Sequence, residues 1–221
     1  MNHSLILASK SPRRKEVLQD LGFEITVLHS NTKEVSDPNS QTLEEKVISI
    51  ASKKAKAVAN VIDVMSSNEI IIAADTVVCI NEEILGKPKN RKEAFDMLRK
   101  LSGNKHRVIT ATVIVDNNRA SNFEVASNTI VNFKSLTEEV IREYLDQNEY
   151  LDKAGAYGIQ NNGDQLVKEI QGDYFNVMGL SVRTVVEYFN KYYNIEISTK
   201  KLFEKHEALI RKFKSDGDSN E

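Results

Sequence analysis

This chain of 221 residues has a single cysteine, Cys79, so it closes no disulfide within itself and offers no cysteine cluster to a metal. A basic excess is also missing: 30 lysines and arginines face 32 aspartates and glutamates, for a formal net charge of −2. Bulk nucleic-acid binding usually shows a basic footprint, so none is expected here, although a local cationic pocket stays open. No apolar run approaches the length of a membrane span. Leu5 to Ala8 is far too short for the core of a secretion signal, which leaves a soluble cytoplasmic protein as the expectation. Several catalytic signatures are absent too. There is no Walker-type glycine loop, which argues against kinases and P-loop NTPases, and no paired histidines of the metalloprotease kind. Ser9 lacks the partnered histidine motif of a serine-hydrolase triad. The four histidines are scattered, and His106, inside a strand pattern, reads as structural. No internal repeat or clear linker interrupts the chain, whose length suits one domain or one with two lobes.

What is present begins at Leu5-Ile6-Leu7-Ala8-Ser9-Lys10-Ser11-Pro12-Arg13-Arg14. The apolar run reads as a buried strand. Ser11 suits an N-cap and Pro12 the first helical position, with Val17, Leu18 and Leu21 forming the helix's apolar face. Ser9, Ser11, Arg13 and Arg14 thus gather at a helix N-terminus, where backbone donors, the dipole and guanidinium forks favour an anion. A capped helix with two solvated arginines explains this segment equally well.

Further along, Ile25 to Leu28 reads as a second strand, followed by a polar loop. Thr42-Leu43-Glu44-Glu45 is a capping box, and the helix it opens carries a stripe of Leu43, Val47, Ile50, Ala51, Val58 and Val61. Lys54 falls on that stripe, either snorkelling to the rim or aimed into a cleft. Ile70 to Ala74 reads as a central strand that stops at Asp75-Thr76 and resumes at Val77. An aspartate in such a run is costly unless paired, hydrogen-bonded or bound to a metal. Asn81-Glu82-Glu83 predicts a turn, and Lys87, between Gly86 and Pro88, a segment returning alongside Asp75. Helices are predicted over 91–101, from Thr137 through 145, over 181–193 and over 199–213. Strands are predicted over 107–115, 123–133 and 166–170. The glycine-rich Ala154-Gly155-Ala156-Tyr157-Gly158-Ile159-Gln160 suits either a backbone passing close to a ligand or a tight bend. Residues 214–221 are expected to be disordered. Together these features predict an α/β domain with a mixed sheet. Their cations and carboxylates suit a phosphorylated substrate with a bridging metal.

Taken in order, these segments resemble the Maf family of nucleoside triphosphate pyrophosphatases. The resemblance is carried by the opening segment, Ala51-Ser52-Lys53-Lys54-Ala55, Ala74-Asp75-Thr76-Val77-Val78, Leu85-Gly86-Lys87-Pro88 and Leu101-Ser102-Gly103. It continues through the 154–160 segment and Gly172-Asp173-Tyr174 to Gly179-Leu180, covering about residues 4 to 193. It implies a Maf/Ham1-like α/β fold, in which an elongated mixed β-sheet flanked by helices forms two lobes around a deep cleft. The catalytic domain would span 1–195, with a charged helical extension and tail over 196–221. The implied reaction cleaves a nucleoside triphosphate to the monophosphate and diphosphate with a divalent cation, magnesium or manganese.

In that family Asp75 matches the catalytic carboxylate, a candidate base and metal ligand, and Glu34 falls near a second acidic metal position. Arg14, Lys54 and Lys87 would hold phosphate oxygens, with Ser9 and its backbone nearby. Asp75-Thr76 and Ile159-Gln160 resemble the branch acting on dTTP and UTP, in which positions matching Arg13, Thr76 and Gln160 are linked to substrate choice. Modified pyrimidine triphosphates, and hence a pool-cleaning role, belong with that branch. The partners implied are the nucleotide alone, without nucleic acid or membrane, and a homodimer stays open. Asn161-Asn162 departs from the usual glycine after the Ile-Gln pair, and Ser181 from the usual proline. The alternatives are the same reaction on purine or methylated guanosine triphosphates, against which Thr76 and Gln160 argue, and a nucleotide-binding regulator of septum formation. A pure binder would not need the carboxylate of Asp75.

Overall fold

The structure, a computed structural model, describes residues 4–29, 32, 35–62, 69–117, 119, 121–147, 149–160 and 162–213. In chain order its elements are β1 (Ser4–Leu7), α1 (Pro12–Asp20), β2 (Glu24–Val27), α2 (Leu43–Ala59), β3 (Ile70–Ile80), β4 (Glu83–Leu85), α3 (Arg91–Leu101) and β5 (Lys105–Asp116). There follow β6 (Ser121–Phe133), α4 (Glu138–Gln147), a 3-10 turn (Ala154–Ala156), α5 (Gly163–Leu166), β7 (Val167–Gln171), α6 (Tyr174–Met178), α7 (Val182–Tyr193) and α8 (Lys200–Phe213). Among the described residues, seven strands form one mixed sheet in the order β2-β1-β3-β5-β6-β7, with β4 paired to β3. β1 runs parallel to β2 and β3, whereas β4 is antiparallel to β3 and β7 to β6. This is a mixed α/β fold with helices flanking the sheet. Among the described residues no helix is long and apolar enough to cross a membrane.

The chain divides into two compact units. The first comprises Met1–Asp75, Thr110–Ser127 and Gly179–Lys205; the second comprises Thr76–Ile109, Asn128–Met178 and His206–Glu221.

In the first unit β1 lies between β2 and β3, and its Leu5 and Leu7 are fully buried. A strand covered on both faces needs a continuous apolar run, which is what the sequence supplies. Ser11 occupies the N-cap of α1 with Pro12 behind it, but its side chain makes no capping bond. Instead the Ser11 N–H donates to Ser9 Oγ at 3.2 Å. The capping box of α2 is complete: Glu45 N–H donates to Thr42 Oγ1, and Thr42 N–H to Glu45 Oε2, both at 3.1 Å. Val47, Ala51, Ala55 and Val58 form its buried face. Val61 does not continue the stripe and is 80% exposed, because the helix ends at Ala59 and the 3.6-residue period ends with it. β3 runs unbroken through Asp75 and Thr76 rather than stopping there.

In the second unit Asn81 (φ 48°) and Glu82 (φ 64°) turn the chain from β3 into β4. Two successive residues in the left-handed region match the right-handed twist of a hairpin. Pairing runs from Ile80↔Glu83 to Val78↔Leu85. α3 spans 91–101 as its period predicts, capped by Asn90, whose Oδ1 accepts from Glu93 N–H at 2.9 Å. The sequence reading did not include α5 and α6, which at four and five residues are too short to show a helical repeat. His106 on β5 is 3% exposed, with Phe133 and Tyr157 edge-on against its ring at 5.0 and 5.5 Å. Burial lowers its pKa to about 4, so the ring is neutral near pH 7.

Within α8, Lys205 reaches Glu16 and Asp20 at 2.6 and 2.7 Å in the first unit. His206 and Phe213 pack against Tyr174 in the second. The expectation for 214–221 lies outside the described residues.

Two outcomes follow for stability. Thr42→Ala removes an N-cap acceptor and should lower unfolding free energy by about 1 kcal/mol in urea titrations. The folded pKa of His106, about 4, lies below its ordinary 6.5, so the unfolded chain takes up this proton first. Stability that is full above the ordinary value should therefore drain as pH falls towards 4, by roughly 3 kcal/mol at the limit. The wild type should lose more urea-midpoint stability between pH 7 and 5 than His106→Phe does.

Candidate active site

Of the candidate site residues that the structure describes, five lie in the first unit: Ser9 in the turn between β1 and α1, Arg13 and Arg14 on α1, Lys54 on α2 and Asp75 on β3. The last register pair of β1 and β3 is Leu7↔Ile72, and Ala8 N–H donates to the Ile72 carbonyl at 2.8 Å. Ser9 and Asp75 therefore both lie beyond the carboxyl-terminal side of that pairing. In parallel α/β sheets this is the side on which ligands bind.

Arg14, in the first turn of α1, is held by two acceptors. Its Nε donates to the Gly179 carbonyl at 2.7 Å and its Nη1 to Ser9 Oγ at 2.9 Å. Ser9 is thus an acceptor for both Arg14 and the Ser11 N–H, and is 9% exposed. Arg13, beside it, is half-buried. The positive end of the α1 dipole adds to both guanidinium groups.

Lys54 projects from α2 and its Nζ meets Asp75 Oδ1 at 2.6 Å, with the two side chains 12% and 11% exposed. Its place on the buried stripe is explained by this contact: the cation is aimed at the one acidic side chain in β3. Lys54 thus fixes this carboxylate through Oδ1. Three cations and one carboxylate therefore share this unit's ligand side. Such a set can hold an anion with several oxygens while keeping one carboxylate beside it.

Thr76, Lys87 and Gln160 lie in the second unit. Thr76 is half-buried on β3, two residues before Val78, whose side chain lies 3.1 Å from where a Cβ on Gly155 would sit. Lys87 is exposed just after β4. Its neighbour Gly86 accepts a hydrogen bond from Gly155 N–H at 3.0 Å, which ties the Lys87 segment to residues 154–160. Gln160 is half-buried at the end of that segment. The expected return alongside Asp75 is not an extension of the β3–β4 pairing, which ends at Leu85.

Glu34 lies outside the described residues. Among the described residues no three acidic, histidine or cysteine side chains gather as a protein-built metal cage. A lone carboxylate such as Asp75 nonetheless fits a hard cation like magnesium, which commonly takes one or two carboxylates and completes its shell with phosphates and water. Two partners escaped the sequence reading. Gly179 contributes only a carbonyl, which leaves no side-chain signal. Glu124, on β6, accepts from Ser52 Oγ at 2.8 Å, and 72 residues separate the pair.

Comparison with known proteins gives a consistent result. A family model described as Maf-like protein matches residues 4–192. A dTTP/UTP pyrophosphatase of Fusobacterium nucleatum is 45% identical over 189 residues, covering 85% of this chain and 94% of that protein. A dTTP/UTP pyrophosphatase of Bacillus velezensis is 46% identical over 182 residues, covering 82% and 93%. The Ham1 protein of Staphylococcus aureus aligns structurally over 92% of this chain and 99% of its own, at a TM-score of 0.43 and 13% identity, a likeness too slight to bear on function. The family match includes every residue placed above and ends before α8. The chain belongs to the Maf-like family.

Proposed function

We propose that this protein hydrolyses nucleoside triphosphates, dTTP and UTP foremost, to the nucleoside monophosphate and diphosphate. The observation that carries the proposal is the Lys54–Asp75 pair beside Ser9 and Arg14, just past the β1–β3 pairing. A carboxylate among fixed cations is what attack of water on a phosphorus requires. Relatives 45% and 46% identical to this chain bear the name dTTP/UTP pyrophosphatase, and that name supports both the reaction and the substrate choice.

In this mechanism water attacks the α-phosphorus, the new P–O bond forms, and the bond to the bridging oxygen of the diphosphate breaks. Asp75 takes the proton that the water releases. Lys54 fixes the carboxylate through Oδ1. Arg14, Lys54 and Lys87 bind phosphate oxygens, with Ser9 setting the Arg14 guanidinium and Arg13 taking part in substrate choice. Because Arg14 is already held by two acceptors, little freedom is lost when it meets a phosphate. Asp75 and Glu34 would hold the divalent cation, which when bound supplies charge neutralisation at the phosphates. Thr76 and Gln160 offer donors and acceptors for a pyrimidine edge, and a site built to hydrogen-bond one base rejects others strongly.

Asp75→Asn keeps an acceptor for Lys54 but removes the base. Diphosphate release should fall at least about 100-fold, with nucleotide affinity by calorimetry little changed. Full activity in this variant would overturn the role of Asp75. Gln160→Ala should narrow the kcat/KM gap between UTP or dTTP and the purine triphosphates. A gap as wide as in the wild type would remove Gln160 from base selection.

A further inference from the structure

The segment that ends in Gln160 has a backbone that does not hold itself. Gly155 and Ala156 follow one another at φ 67° and 64°. Glycine tolerates this region, but an alanine there is strained and persists only where its surroundings fix it. Several contacts do so in the second unit. Gly155 N–H donates to the Gly86 carbonyl at 3.0 Å, and Gly158 N–H donates to the Tyr144 hydroxyl at 3.0 Å. Gly163 packs so closely that an added Cβ would lie 2.9 Å from the Gly158 carbonyl oxygen. Between these ties, the Tyr157 hydroxyl meets His106 Nε2 at 2.7 Å.

That last bond is unusual for its setting. Tyr157 and His106 are 6% and 3% exposed, and Phe133 stands edge-on to both rings, 4.9 Å from Tyr157 and 5.0 Å from His106. An apolar ring at 106 would fill the same space without losing hydration. Histidine also leaves its Nδ1 buried with no hydrogen-bond partner among the described residues. A buried polar group kept at such a cost calls for a reason. The reason available here is its partner, because Tyr157 lies three residues before Gln160 and directly after the left-handed pair Gly155 and Ala156.

We infer that His106 is a positioning residue, whose bond to the Tyr157 hydroxyl sets the backbone of residues 155–160 and so aims the Gln160 amide at the nucleotide base. The inference rests on the base-reading role proposed above for Gln160. His106 touches no reacting atom in this reading; it acts through Tyr157.

The test is kcat/KM for UTP, dTTP, GTP and ATP with magnesium, in wild type, H106F, H106Q, Y157F, the H106F/Y157F double variant and Q160A. H106F and Y157F should each narrow the pyrimidine-to-purine ratio about fivefold, the effect of one hydrogen bond. The double variant should be no worse than either single one, since one bond is lost in all three. H106Q, whose amide offers both a donor and an acceptor to the Tyr157 hydroxyl, should restore much of the ratio. A lower melting temperature with an unchanged ratio in H106F and Y157F, while Q160A narrows it, would overturn the inference and leave the bond purely structural. An unchanged ratio in Q160A but a narrowed one in H106F would retain the positioning of the segment and move the base contact to a neighbouring residue. If no variant changes the ratio, both readings fail. Should H106F not fold, Y157F carries the same comparison.

Discussion

A carboxylate in the middle of a buried strand is the constraint around which the first unit is arranged. Ile71, Ile72, Ala73 and Ala74 have no exposed surface, and Asp75 follows them at 8% exposure. Burying such a group is costly unless a cation pairs with it, and removing one partner of a buried pair costs about 3–5 kcal/mol. Lys54 is that cation, so the position of α2 over the sheet is tied to the chemistry proposed for the pair. Ala51 and Ala55, both fully buried, let the helix approach the sheet closely enough for the lysine to reach. Stability and the proposed catalysis therefore make the same demand on one ion pair.

The side proposed to hold the phosphates is organised by a second constraint. Arg14 is oriented by Ser9 on its own strand–helix turn and by the carbonyl of Gly179, 165 residues away. That distant carbonyl must itself be fixed, and the residues after it do the fixing. Ser181 Oγ accepts from Thr184 N–H at 3.3 Å, and Ser181 N–H donates to Thr112 Oγ1 at 3.2 Å. The family resemblance leads one to expect a proline at 181, which would have no N–H to give. Serine here caps α7 and pins the chain to β5 as well.

In the second unit, buried polar groups play the corresponding part. Asn176, fully buried on α6, donates to the Val108 carbonyl at 3.0 Å and to Thr129 Oγ1 at 2.9 Å. These bonds fasten a five-residue helix that packing alone would hold weakly. The aromatic group of His106, Phe133 and Tyr157 is built in the same way, with apolar rings enclosing one directed hydrogen bond. Apolar contact sets where the segment lies, and the hydrogen bond selects one arrangement of it.

What the sequence determined by itself is the set of local structures and their chemical content. The capping box at Thr42, the Ser11-Pro12 start of α1, the 91–101 helix, the apolar runs of β1, β3 and β5 and the strand pattern of β6 were legible because each depends on neighbours in the chain. The short helices α5 and α6 were not, since they are stabilised by distant contacts rather than by periodicity. Asp75 and Lys54 could each be recognised as out of place among apolar residues, but each alone admitted a plain explanation. Only the tertiary structure decided that they are one ion pair, that Arg14 answers to Gly179, and that His106 answers to Tyr157. These pairings span 21, 165 and 51 residues, distances at which chain periodicity carries no information and only packing in space brings donor to acceptor.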